Sequence, residues 1–125
     1  MGIAVGQAFK EALGKKKSIR RFAEANVPLN EALAQCVIDI SGRAFFVFNV
    51  DFPKAKLGDF DVELVPEFFQ AFSANSDITL HLNSPYWNNL HHITEALFKA
   101  FARSLDSACS IDSRMSDIPS TKGTL

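Results

Sequence analysis

Two segments of the chain alternate apolar and polar residues, and this alternation limits the folds that the chain can adopt. One covers residues 33–40 and the other residues 77–83. Successive side chains of a strand point to opposite faces of a sheet, so each segment predicts a strand with one buried face. Residues 44–52 also favour a strand, and the glycine in residues 41–43 suits a tight turn. We therefore expect the strands at 33–40 and 44–52 to pair antiparallel.

Three other segments carry apolar residues at helical spacing. They are residues 3–13, residues 59–73 and residues 88–108. Gly14 follows the first of them and is a helix stop signal. Pro66 stands inside the second pattern, so we expect that helix to start late, near Pro66, or to kink there. Between the first helix and the strands, the basic run at 15–21 leads into a short extended segment. This order of elements predicts an α+β fold with helices on one face of a sheet.

Composition places the chain among packed globular proteins. It has 125 residues, of which 47% are hydrophobic and 22% charged, and this excludes intrinsic disorder. The formal net charge of -1 argues against general nucleic-acid binding. No apolar run approaches the roughly 20 residues of a membrane helix, and two distant cysteines are typical of a reducing compartment. We expect a cytoplasmic protein that has neither a membrane nor a nucleic acid as its partner.

The sharpest chemical feature is the sequence HHITE at residues 91–95, near the start of the predicted third helix. His91 and Glu95 would lie one turn apart on one face, whereas His92 would point about 100° around the helix axis. Each histidine could therefore serve a different ion, and imidazole with carboxylate suits manganese, iron or zinc. The alternative is a solvated helix start in which Glu95 pairs with Lys99.

A second group of residues has the chemistry of an anion site. Arginine offers a planar fork of donors to phosphate oxygens, and serine and lysine add shorter donors. The alternative for each residue is a solvated surface charge, and the basic run at 15–21 could instead contact an RNA backbone. We interpret His81, on the outer face of its strand, as a structural histidine. The candidate anion-binding residues are Arg20, Arg21, Arg43, Lys99, Ser120 and Lys122.

Together these segments resemble imidazoleglycerol-phosphate dehydratases, the hydro-lyases of L-histidine biosynthesis. The matching stretches follow the family order and include SIRRF, VPLNEAL, DFDVELVPEFFQAF, NLHHITEALFKAFARSL and IPSTKGTL. The elements HHxxEAxFKA and PSxKGxL are the most specific of them. The resemblance implies a mixed or antiparallel four-stranded sheet with helices on one face. This would be the second half of a duplicated unit of the ribosomal-protein-S5-domain-2-like class.

The resemblance also implies a chemistry, the manganese-dependent removal of water from D-erythro-imidazoleglycerol phosphate to give imidazoleacetol phosphate. Two Mn ions would serve each complete site. Asn30 stands where the family usually has Asp, and Pro66 replaces an acid. The implied metal ligands are His91, His92, Glu95 and Glu67, the last at a position where many members have histidine; the implied catalytic residues are Glu95 and His91. The implied substrate-binding and phosphate-binding residues are Arg21, Arg43, Lys99, Ser120 and Lys122.

The resemblance covers the C-terminal portion of the family, and the first half with its HHxxED motif has no counterpart. It implies three parts: residues 1–14 as the remaining last helix of that first half, residues 15–109 as the second half-domain, and residues 110–125 as a phosphate-binding tail. The implied substrate is a small phosphorylated imidazole. The implied assembly is a homo-oligomer, with 24 chains in the full-length family.

Two expectations follow for the 125-residue chain by itself. We expect it to be inactive or nearly so, because half of the family's metal ligands are missing. We also expect an exposed apolar patch formed by Phe68, Phe72, Phe98 and Phe101. The alternative function is a non-catalytic α+β module that binds phosphate or RNA through residues 15–21.

Overall fold

The computed structural model describes residues 1–53 and 56–125 of the chain. Within these residues the polypeptide forms three helices and six strands. The helices are α1 (Gly2–Leu13), α2 (Leu64–Ser76) and α3 (Leu90–Cys109). The strands are β1 (Phe22–Leu29), β2 (Ala32–Asp39), β3 (Phe45–Asn49), β4 (Lys56–Leu57), β5 (Phe60–Asp61) and β6 (Thr79–Tyr86).

Four of the strands form a mixed sheet in the order β1-β2-β6-β3. β1 and β2 make an antiparallel hairpin, β6 runs antiparallel to β2, and β3 runs parallel to β6 at the edge. The predicted antiparallel pairing of residues 33–40 with 44–52 is therefore wrong. Both edges of β2 are occupied, so the turn at 41–43 instead carries the chain across the start of β6. There the Thr79 hydroxyl donates a hydrogen bond to the Arg43 carbonyl oxygen at 3.1 Å.

The helices cover one face of this sheet. Every second residue of β2, from Ala32 to Ile38, is buried beneath them, and so are Leu80 and Leu82 of β6. On the opposite face Val37 is 48% exposed and His81 is exposed. The α+β class, with a four-stranded mixed sheet and helices on one face, is confirmed.

Helix α1 packs closely on α2 because it presents two glycines to it. A Cβ atom on Gly6 would lie 2.8 Å from the Phe72 carbonyl oxygen and 3.0 Å from the Asn75 Cβ. The Phe9 ring of α1 lies 5.6 Å from the Phe72 ring, centroid to centroid. A smooth glycine surface therefore lets the two backbones approach each other.

The expected exposed patch of four phenylalanines is wrong at two of its positions. Phe72 is fully buried and Phe101 is 8% exposed, because Phe72 lies beneath α1 and meets the Phe101 ring edge-on at 5.0 Å. Phe68 and Phe98 are half-buried. Their rings lie against each other with centroids 5.6 Å apart, beside an apolar cleft that Met1 and Leu64 also line.

Pro66 lies near the start of α2, where a helix tolerates proline. The helix begins at Leu64, so Pro66 lies in its first turn. Backbone N–H groups in the first turn have no partner within the helix, and the missing donor of proline therefore costs little there. The expected start near Pro66 is confirmed. In the described part of the chain, no helix combines the length and apolarity needed to cross a bilayer.

Candidate functional site

The N-terminus of α3 presents both adjacent histidines. Asn89 is the N-cap, and its side-chain oxygen accepts a hydrogen bond from the His92 backbone N–H at 3.0 Å. This bond satisfies one of the free donors at a helix start. His91 is exposed and His92 half-buried, and the two ring planes are inclined by 65° with centroids 6.3 Å apart. The rings therefore face different surroundings, as their spacing on a helix predicts.

His91 belongs to a row of three polar side chains along α3. Its Nε2 lies 3.2 Å from one Glu95 carboxylate oxygen, and the other oxygen lies 2.7 Å from the Lys99 ammonium nitrogen. The hydrogen bond from Lys99, with a smaller contribution from His91, lowers the pKa of Glu95. Glu95 is thus an ionised carboxylate between two potential cations. The predicted pairing of Glu95 with Lys99 is present.

His92 has a different partner, Glu31, which lies in the turn between β1 and β2. The His92 Nδ1 is 2.5 Å from one Glu31 carboxylate oxygen, and the other oxygen accepts hydrogen bonds from the backbone N–H groups of Asn88 and Asn89 at 2.8 and 3.0 Å. The bond with His92, followed by those two backbone bonds, lowers the pKa of Glu31 to about 2. One carboxylate thus ties the hairpin to the start of the helix.

Glu67, the fourth predicted metal ligand, lies elsewhere. It is exposed in the first turn of α2, beside the apolar cleft near Phe68 and Phe98. Among the described residues, no three of His, Cys, Asp and Glu come together in a group that could hold a metal ion. The donor types, two imidazoles and carboxylates, suit manganese. A complete coordination shell around either histidine would need donors beyond those that the described residues bring together there.

Four of the predicted phosphate-binding residues line one open cleft of about 720 Å³. They reach it from three directions: Arg21 before β1, Arg43 after β2, and Ser120 with Lys122 from the C-terminal segment. Lys99 is not among the lining residues, and its ammonium instead contacts Glu95 on α3. Arg20, Phe22 and Met115 complete part of the wall. The cleft is therefore rich in donors suited to an anion.

The guanidinium of Arg21 is held firmly in this cleft. Its Nε and Nη2 donate to the two Asp39 oxygens at 2.7 and 3.3 Å, and its Nη1 donates to the Pro119 carbonyl oxygen at 2.9 Å. The Arg21 backbone has φ of 72°, which non-glycine residues rarely adopt. Bonds from its backbone to Ala108 and Ile40 maintain this conformation. Arg21 thus couples the sheet edge to the C-terminal segment.

Two further contacts fix the end of the chain against the cleft. The Lys16 ammonium donates to the Leu125 carbonyl oxygen at 3.0 Å. Gly42, with φ of 76°, lies so close to the Leu125 carbonyl that a Cβ atom would overlap it. Of the basic run at 15–21, Lys16 and Arg21 are thus already bonded within the chain.

The histidines and the cleft lie at opposite ends of β1. Arg21 precedes its first residue, and Glu31, the partner of His92, follows its last. At roughly 3.3 Å per residue, the eight residues of β1 separate these ends by roughly 23 Å. One small molecule cannot reach both ends of a single chain.

Sequence reasoning missed three residues that shape these sites: Glu31, Asp39 and Asn89. Asn89 had a local signal, because asparagine directly before the first residue of an apolar helical pattern is a typical N-cap. Glu31 and Asp39 had none, because their partners lie 61 and 18 positions away. Only the fold brings these carboxylates to a histidine and an arginine.

Known proteins resemble this chain over its full length. A family model described as imidazoleglycerol-phosphate dehydratase matches residues 1–105. The enzyme of that name from Geobacter sulfurreducens is 55% identical over 125 residues, which are 100% of this chain and 64% of the relative. The one from Ruegeria pomeroyi is 56% identical, over 99% of this chain and 64% of the relative. The chain therefore spans slightly less than two thirds of these relatives.

Solved structures agree with these sequence matches. The imidazoleglycerol-phosphate dehydratase from Staphylococcus aureus superimposes with a TM-score of 0.86 at 42% identity, covering 89% of this chain and 65% of that one. The enzyme from Pyrococcus furiosus gives 0.84 at 32% identity, covering 99% and 67%. With its fold and its residues in agreement, the chain belongs to the imidazoleglycerol-phosphate dehydratase family.

Proposed function

We propose that this chain supplies parts of a manganese-dependent dehydratase site, which removes water from imidazoleglycerol phosphate to give imidazoleacetol phosphate. The observation that carries the proposal is the convergence of Arg21, Arg43, Ser120 and Lys122 on one cleft. Sequence position does not explain this convergence, because about 100 residues separate Arg21 from the C-terminal segment. A phosphate group matches the charge and the donor types of these four residues.

The cleft would bind the phosphate of the substrate. Arg43 is exposed, and within the described part of the chain its side chain makes only one bond, a 3.3 Å contact with the Ser41 carbonyl oxygen. It can therefore turn toward an anion. Arg21 is held by Asp39, so its role would be a fixed positive charge at the floor of the cleft. Ser120 and Lys122 would close over the phosphate from the C-terminal segment.

The N-terminus of α3 would act on the imidazole and glycerol portion of the substrate. We assign His91, His92 and Glu95 to manganese binding, with Glu67 as a further ligand contributed from another part of the assembly. Manganese, when bound, supplies Lewis-acid stabilisation of negative charge. His91 and Glu95 are the candidates for holding and moving the proton that leaves carbon. Lys99 keeps Glu95 ionised through the 2.7 Å contact.

Because the two ends of β1 are far apart, one substrate molecule would need the cleft of one copy and the histidines of another. A homo-oligomer is therefore part of the proposal, and 24 chains are the assembly that the family resemblance implies. The alternative, a phosphate-binding or RNA-binding module acting through residues 15–21, is not favoured. Two basic residues of that run are bonded within the chain.

The test is dehydration of imidazoleglycerol phosphate by the purified chain with added manganese chloride, alone and mixed with a separately expressed first portion of a relative. We expect little or no turnover by the chain alone, because no three metal donors meet in its described part. Mixing should restore turnover, and His91→Ala or Arg43→Ala should abolish it again. Exposed Arg103→Ala on α3 is the matched control. Full turnover by the chain alone, or no rescue on mixing, would contradict the proposal.

A further inference from the structure

Glu31 makes three contacts at the start of α3, with two residues that precede the helix and one in its first turn, although it lies in the turn between β1 and β2. One of its oxygens meets the His92 imidazole at Nδ1, and the other accepts the backbone N–H groups of Asn88 and Asn89. Neighbouring Asn30 has φ of 51°, which turns the hairpin tightly and directs its end toward the helix. The carboxylate is thus fixed by backbone donors independently of the histidine.

We propose that Glu31 is a positioning residue for His92: it holds the imidazole as the Nδ1–H tautomer, so that the unprotonated Nε2 points away from the hairpin, available to an ion or substrate. This inference deepens the proposed function and rests on it for the role of Nε2. The proton on Nδ1 follows from the contact, because an ionised carboxylate only accepts hydrogen bonds. A ring nitrogen 2.5 Å from such a carboxylate must carry the proton. The unprotonated state of Nε2 is the part of the inference that the tautomer measurement tests.

A histidine that ligates a metal commonly donates its other ring N–H to a carboxylate, which fixes its orientation. His91 lacks such an arrangement within the described residues, since its 3.2 Å contact with Glu95 is made through Nε2 and its side chain is 67% exposed. The two adjacent histidines therefore differ in how firmly their rings are held. His92 is pre-oriented by the hairpin, whereas His91 can exchange Glu95 for another partner.

The direct measurement is the tautomer of His92 in the 125-residue chain, read from two-bond ¹⁵N–¹H correlation spectra near neutral pH. Comparison with the His92→Gln spectrum assigns the signals. We expect His92 to show a protonated Nδ1 and an unprotonated Nε2. His91 should show the mixture of an exposed imidazole. A wild-type His92 in the Nε2–H form would overturn the inference without any further variant.

Two variants separate orientation of the ring from simple capping of the helix. Glu31→Ala removes the carboxylate, and Asn89→Ala removes the N-cap bond to the His92 backbone while leaving the imidazole contact. Both should lower the melting temperature, because each removes acceptors from the helix start. Only Glu31→Ala should shift His92 from the Nδ1–H to the Nε2–H form. An unchanged tautomer in Glu31→Ala, or an equal shift in Asn89→Ala, would refute the positioning role.

Manganese chloride added to the same variants, each mixed with the separately expressed first portion of a relative that the proposed function requires, distinguishes failure of this inference from failure of the proposed function. Selective paramagnetic broadening of the His92 ring signals, weakened in Glu31→Ala, would support both. Absence of broadening with the Nδ1–H tautomer intact would support the positioning role and count against metal binding by the chain. Broadening that is equal in wild type and Glu31→Ala would count against the positioning role alone.

Discussion

Acidic side chains of this protein make similar hydrogen bonds in very different surroundings. Asp39 holds Arg21 in a pair whose side chains are only 18% and 15% exposed. Asp112 makes a comparable two-bond pair with Arg114 and is itself only 17% exposed, but that arginine is 86% exposed. Water competes strongly for the exposed Arg114 guanidinium and weakly for the sheltered Arg21 guanidinium. The two pairs should therefore differ in their contribution to stability despite their similar geometry.

We predict that Asp39→Asn lowers the free energy of unfolding by about 1–3 kcal/mol, because it leaves the sheltered Arg21 charge poorly compensated. Urea denaturation measures the change. Asp112→Asn is the matched control and should have little effect, since Arg114 stays solvated without it. Equal losses in the two variants would show that burial does not distinguish these pairs.

Individual site residues were predictable only where their partners are local. The helix pattern correctly placed His91 and Glu95 on one face with Lys99 one turn further. Glu31 and Asp39 were not predictable, since their partners reach them only through the hairpin and the sheet edge. Whether Glu67 ligates a metal stays a prediction, because its position on α2 brings it to none of the other donors in the described part of the chain.

Elements with a strict hydrophobic period were recovered well from sequence. The three helices, β2 and β6 lie close to where the alternation and the helical spacing predict them. β1 was missed beyond its first residue, since the predicted extended segment ran only through Phe22. Residues 23–29 do alternate, but two of their four inward side chains are alanines and only Val27 is buried. The partner of β3 was assigned wrongly, since a turn glycine shows that the chain reverses but not which strand it then joins.

At the α1–α2 contact we predict that Gly6→Ala destabilises the protein by about 1–3 kcal/mol, the usual cost of forcing an atom into a packed contact. An alanine inside a helix normally stabilises it relative to glycine, so the sign here is reversed. The cause is the Phe72 carbonyl, which lies 2.8 Å from the new Cβ. Gln7→Ala, one residue along on the exposed side, is the control for thermal unfolding. A stabilised Gly6→Ala would mean that the two helices are not in contact as described.

At the C-terminal segment we predict that Gly42→Ala weakens binding of inorganic phosphate to the cleft several-fold. The new Cβ would overlap the Leu125 carbonyl, and the segment carrying Ser120 and Lys122 would have to move. Gly58→Ala is the matched control, because Gly58 has a similar positive φ of 59°, yet a Cβ there would meet no atom of the described residues within 4 Å. Calorimetric titration gives the affinities. Equal weakening in both variants would assign the effect to backbone strain alone.

At the scale of the whole molecule, the fold class and the family were accessible from sequence, whereas the separation of the two sites was not. The residues that would bind phosphate and those that would bind metal all occur on one chain. Only the sheet shows that β1 holds them apart at its two ends. Motif spacing carries no information about which end of a strand a side chain occupies in space.

This separation predicts complementation between two inactive variants. In the enzyme reconstituted with the first portion of a relative, His91→Ala and Arg43→Ala chains should each be inactive. If each site combines two copies, mixed assemblies should recover roughly a quarter of wild-type turnover. The active sites would be those that combine the intact Arg43 of one copy with the intact His91 of another. The control is a mixture of His91→Ala with Glu95→Ala chains, whose lesions fall at the same end. No recovery in the first mixture would place both ends in one copy.

The position of β6 in the sheet also has a consequence for how the polypeptide folds while it is being synthesised on the ribosome. β6 lies between β2 and β3, yet both of these strands precede it in the chain. β1 and β2 can close as a local hairpin as soon as they leave the ribosome, whereas β3 then has no strand beside it. At about 5–20 residues per second, the roughly 30 residues between β3 and β6 take roughly 1.5–6 s to synthesise. Throughout that interval the phenylalanine-rich strand β3 is a natural target for chaperones, and for unwanted pairing with other nascent chains.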